Sequence, residues 1–75
     1  MALPVWMARK IVKLGIKGAK NGDKVNMAAV MKSIDALGDG DGTVEVLDLI
    51  DAISDYLSDA NDVLESIWVF LTDWI

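Results

Sequence analysis

The sequence predicts an all-α fold: a single small domain of three helices, at about residues 4–19, 24–37 and 45–74, with a helix-loop-helix corner at 38–44. Three observations predict it. Apolar residues recur at separations of three and four through most of the chain, the spacing that gathers side chains on one face of a helix. The one proline, Pro4, stands where a helix can begin, because the first turn has no use for the N–H that proline lacks. The segments Asn21-Gly22-Asp23 and Gly38-Asp39-Gly40-Asp41-Gly42 are rich in turn-forming residues and divide the periodic stretches.

The first helix is cationic and amphipathic. Lys10, Lys13, Lys17, Lys20 and Lys24 follow steps of 3, 4, 3 and 4, so the first four form one stripe, while Met7, Ile11, Val12, Leu14 and Ile16 cover the other side. Gly15 and Gly18 each cost about 1 kcal/mol against alanine in a helix, which points to a weak helix or to close approach by another backbone. The second helix carries Met27, Val30, Met31, Ile34 and Leu37 at helical spacing, with Asp23 as its expected cap. Gly38 is expected to close it in the left-handed conformation common after a helix.

From Val46 onward, Val46, Ile50, Ile53, Leu57, Ala60, Leu64, Ile67, Leu71 and Trp74 alternate steps of four and three without a slip. That continuity predicts one helix to Trp74, roughly 43 Å long at about 1.5 Å per residue. The capping residues in Ser58-Asp59-Ala60-Asn61-Asp62 mark 58–62 as the place where it would break instead. Asp48, Asp55 and Asp62 form its outer stripe, which gives way to Val69, so the helix becomes apolar nearly all round. Leu64, Ile67, Trp68, Val69, Phe70, Leu71 and Trp74 are therefore the candidate interface. Plugging of the chain's own core is the alternative use for them.

Charge divides the domain in two. Residues 1–24 hold six cations against Asp23, a balance of +5, and residues 25–75 hold Lys32 against eleven acids, a balance of −10, which together give the overall −5. Residues 1–22 thus form a cationic amphipathic helix and 23–75 an acidic helix-loop-helix body. The acidic total disfavours nucleic acid as a partner. There is no His and no Cys among the 75 residues, which removes the commonest general base, the thiolate nucleophile and most transition-metal ligands. Ser33, Ser54, Ser58 and Ser66 have no histidine to activate them. No catalytic residues and no enzyme activity are expected. No secretory signal or transmembrane span is read, so the expected location is the cytoplasm or the inside of an assembled particle.

One short segment suggests a ligand. Asp39, Asp41, Gly42, Val44 and Asp48 are spaced like positions 3, 5, 6, 8 and 12 of a calcium loop, and residues 37–48 resemble the loop of EF-hand proteins, particularly the dockerin form. The resemblance implies Ca2+ held by Asp39, Asp41, the Thr43 carbonyl, Glu45 and Asp48. The match is degenerate, because position 1 falls on Leu37 and at most five protein ligands remain where calcium takes 6–8. A corner whose glycines set the backbone and whose aspartates cap the next helix explains the same residues without metal.

With 53% apolar residues, and a domain this small burying only roughly 60% of its unfolded surface, the chain carries more apolar surface than one monomer is expected to hide. The function expected is a non-enzymatic helical interaction or assembly subunit, a small structural component of a larger viral or bacterial complex, with a protein partner or copies of itself. Two other readings stay open. One is a membrane-surface or membrane-active protein, bacteriocin-like or lysis-related, making peripheral membrane contact through the N-terminal helix. The other is a small calcium-responsive EF-hand-like module, or no cofactor at all.

Overall fold

Val5–Gly18 forms α1, which starts directly after Pro4 and turns Ala8, Ile11, Val12, Gly15 and Ile16 inward. A computed structural model describes residues 2–57 and 61–74 of the chain. Ahead of α1 lies the short strand β1 (Ala2–Pro4), and after it come a 3-10 turn (Gly22–Lys24), α2 (Met27–Leu37), β2 (Thr43–Glu45), α3 (Val46–Ser54) and α4 (Asn61–Trp74). The described residues are thus mostly helical, in four α-helices and a two-stranded sheet. The strands run antiparallel with Ala2 opposite Glu45, Leu3 opposite Val44 and Pro4 opposite Thr43. Strands of three residues are too short to leave an alternating pattern, so the sequence does not announce them.

α2 starts later than residue 24. The chain stays extended at Val25, and Asn26 rather than Asp23 caps the helix, its Oδ1 accepting the Ala29 N–H at 3.1 Å. A capping side chain reaches the N–H two or three residues on, which fixes the start at Met27. Gly38 closes α2 but is not left-handed, with φ −92° and ψ 10°. Its lack of a side chain matters because a Cβ there would run into Val5. The positive φ belongs to Gly42, at 78°.

The long third helix is replaced by two. α3 ends at Ser54, and the chain tightens into i+3 bonds, Tyr56 N–H to the Ile53 carbonyl at 3.0 Å and Leu57 N–H to the Ser54 carbonyl at 3.1 Å. Ser54 also spends its hydroxyl on the Asp51 carbonyl at 2.9 Å, a side-chain bond that competes with helix continuation. Residues 58–60 lie outside the described residues, and α4 begins at Asn61. Leu57 is almost fully buried in the turn itself. It fills the expected apolar position without belonging to a helix, which is why the heptad pattern runs unbroken across a reversal. A straight helix of roughly 43 Å would also exceed the molecule, whose longest extent is 33 Å.

The helices pack in the order α4, α1, α2, α3. The tightest seam is α1 against α4, where Gly15 lets the backbones meet: a Cβ there would lie 3.0 Å from Ile67 Cα and closer still to the Ile67 side chain. Asn21 fastens the end of that seam, donating its backbone N–H to Asp62 Oδ2 at 3.0 Å and its side-chain amide to Oδ1 at 3.1 Å. Asp62 is therefore half-buried and held, not on an outermost stripe.

The buried core is aliphatic throughout. Leu3, Ile11, Val12, Ile16, Val30, Ile34, Val44, Leu49, Ile53, Leu57, Val63, Ile67 and Leu71 are all at or near full burial, and no polar or charged residue among the described ones is buried with them. The accessible surface is 4582 Å², close to the about 4,500 Å² that size alone predicts for a compact 8.1 kDa monomer. The chain therefore closes a core of its own, and it still leaves Trp6, Leu47, Trp68 and Val69 at least half exposed.

Candidate interaction surface

α3 and α4 each turn one face to the core, and their adjoining edges do not close on each other. In α3 the inward residues are Val46, Leu49 and Ile53, in α4 Val63, Ile67 and Leu71. α4 is drawn to α1 at Gly15, whereas α3 is drawn to α2, helped by the Ser33 hydroxyl donating to Tyr56 Oη at 3.1 Å. A groove of about 220 Å³ is left between them, lined by Ile50, Leu64, Glu65 and Trp68. On the same two helices Leu47 is 75% exposed, Trp68 50% and Val69 58%.

The seven residues expected to form an interface divide accordingly. Ile67 and Leu71 are fully buried in the chain's own core and have no surface to offer. Leu64 and Phe70 are half-buried against that core, and Trp68 and Val69 face solvent. The side chain of Trp74 lies outside the described residues. Leu47, Ile50 and Glu65 are not among the residues expected at an interface, and the heptad series counts Ile50 with the inward positions. The signal that separates them is the helix break, since α3 alone has too few turns to bury both sides.

Three of the four lysines of the expected cationic face lie on α1, and Lys20 follows its end at Gly18. Lys10, Lys13, Lys17 and Lys20 are all exposed. Trp6 stands in the same stripe, four residues before Lys10 and seven before Lys13, and is 62% exposed. Between α1 and α2 runs a cleft lined by Trp6, Arg9, Lys10, Lys13, Met27 and Met31, at whose edge Arg9 reaches Asp35 at 3.6 Å. The apolar side of α1, Ile11 above all, is spent on the core. α1 thus presents lysines together with Trp6 and the half-exposed Leu14.

The 37–48 segment folds as a helix, a turn, a short strand and a helix. Gly42 makes the sharp turn expected of loop position 6, its N–H donating to the Gly38 carbonyl at 3.0 Å and its carbonyl accepting the Val5 N–H at 2.9 Å. Asp41 Oδ1 accepts from the Thr43 backbone N–H at 3.0 Å and the Thr43 hydroxyl at 2.9 Å. Those bonds hold the Asp41 carboxyl below its ordinary pKa. Thr43 and Glu45 are in β2 and Asp48 is in the first turn of α3. Among the described residues no three acids converge where one cation would touch them all. The acids of this segment are therefore not gathered into a calcium shell in this geometry.

No family model, curated protein or solved structure matches this chain. No helix among the described residues is long and apolar enough to cross a membrane. The functional reading rests on the chemistry of the surface.

Proposed function

We propose that this protein is a non-enzymatic helical interaction subunit that assembles with a protein partner or with copies of itself through its aromatic α3–α4 face. The observation that carries the reading is the division of labour among apolar side chains. Aliphatics close the core, while Trp68 on the α3–α4 face is half exposed, and Trp6 on α1 and Tyr56 in the turn after α3 are each more than two-fifths exposed. Aromatics dominate interface energetics and are enriched at binding hot spots, and a chain with a complete aliphatic core has no internal need to expose them. Sedimentation velocity on Trp68→Ser and Ile67→Ala separates the roles. Trp68→Ser should weaken association while leaving the melt unchanged, and Ile67→Ala should cost about 2–5 kcal/mol of stability. Association indifferent to Trp68→Ser would remove this face as the interface.

A second reading, a peripheral membrane protein, draws on Trp6 within the lysine stripe. The amphiphile needed for it would have to come from Trp6 and the half-exposed Leu14 alone, because the rest of the α1 apolar side is buried. Co-sedimentation with anionic vesicles tests it, and an unbound protein at low salt removes it.

A further inference from the structure

We infer that the α3–α4 groove is filled by the α1 face of a second copy of this chain, with Trp6 entering the groove and Lys10 and Lys13 meeting Glu65 and Asp51. The inference rests on the assembly reading above and names the partner.

Charge selects the occupant. The groove has an apolar floor in Ile50, Leu64 and Trp68 and an acid, Glu65, in its wall. On α3, Asp51 directly follows the groove residue Ile50 and is exposed, which puts a second acid on the helix that forms that wall. What complements such a site is an apolar anchor ringed by cations. Trp6 is that anchor: a largely exposed indole with Arg9, Lys10 and Lys13 around it in the α1–α2 cleft.

Size agrees. At about 220 Å³ the groove falls below the roughly 300–1,000 Å³ typical of small-molecule sites, and suits one inserted side chain. The chain cannot satisfy itself, because in the packing order α4, α1, α2, α3 the Trp6 cleft and the groove are opposite seams. Two copies meeting groove to groove would set Glu65 and Asp51 against their own kind, whereas head-to-tail contact pairs opposite charges. Such a contact is heterologous, so it builds a ring if the rotation closes and a chain if it does not. An interface of about 800 Å² per partner is roughly a sixth of the 4582 Å² surface, leaving room for one at each end.

The test is charge swapping in the full-length protein. Lys10, Lys13, Asp51 and Glu65 are all exposed, so K10E/K13E and D51K/E65K should melt like the parent. Each variant alone should need about tenfold or higher concentration to associate. An equimolar mixture should associate like the parent, since each reversed face then finds a complementary one on the other variant. Trp6→Ser, which changes no charge, should weaken association by about the same factor, and serves if a reversed variant melts early. Parent association that persists in both variants, or a mixture that stays monomeric, overturns this pairing and leaves the broader assembly reading standing. A parent that stays an 8.1 kDa monomer overturns both.

Discussion

At the scale of the residue, two glycines three positions apart in α1 have opposite consequences. Gly15 lies against the α4 backbone at Ile67, and nothing lies within 4 Å of where a Gly18 Cβ would be. Gly15→Ala should destabilise by about 1–3 kcal/mol, the usual cost of forcing atoms into a packed seam. Gly18→Ala should raise stability by about 0.4–1 kcal/mol by restricting the unfolded chain. Chemical denaturation checks both, and equal effects would mean that the two helices do not meet at Gly15. Asp62 supplies a pH dependence. Its hydrogen bonds from Asn21 lower its pKa from 3.8 in the folded state, so its contribution is present above about pH 4 and is lost as pH falls through the lowered value. Asp41, lowered in the same way by Thr43, acts in the same direction. Asp62→Asn, which keeps an acceptor but cannot titrate, should therefore show a shallower fall in melting temperature between about pH 4 and pH 2 than the parent. Identical slopes would place Asn21 and Asp62 apart in solution.

At the scale of the element, the chain disclosed its helices better than its turns. The first two helices are legible because their apolar residues repeat at a single period. The glycines of α1 were legible in part: the sequence offers a weak helix or a close approach for Gly15 and Gly18 alike, and only Gly15 meets another backbone. The α3–α4 reversal escaped because both helices send apolar residues to one core, and Leu57, buried within the turn, keeps the spacing regular. The β1–β2 pair escaped because three residues carry no period. The candidate surface was half legible. Val69 stands out as the apolar residue that ends the acidic outer stripe, but assigning Ile67 and Leu71 inward required knowing that α4 lies on α1. The 37–48 corner gives a prediction of its own. Because Asp41 is engaged by Thr43 and the acids do not converge, calorimetric titration with calcium should give the same heat for the parent and for Asp41→Ala. A saturable heat seen in the parent and lost in Asp41→Ala would restore the calcium-module reading.

At the scale of the whole molecule, the excess of apolar residues sorts itself by type. Aliphatic side chains fill the interior, and among the described side chains Trp6 stands on an outer seam among cations and Trp68 on another beside Glu65. The separation of charge along the chain, +5 in residues 1–24 and −10 in 25–75, becomes a separation in space, because α1 turns its lysines outward. A molecule arranged in this way buries an aliphatic core within one chain, and the proposed pairing of its two seams would join it to further copies. Since the contacts are partly electrostatic, association should weaken as salt rises and the screening length falls from about 10 Å at 0.1 M to about 3 Å at 1 M. The most direct measurement is the mass of the unmodified chain by light scattering over a range of concentrations. The account predicts a weight-average mass that climbs above 8.1 kDa with concentration and returns toward it in high salt. A mass of 8.1 kDa at every concentration, with a cooperative melt, would contradict it.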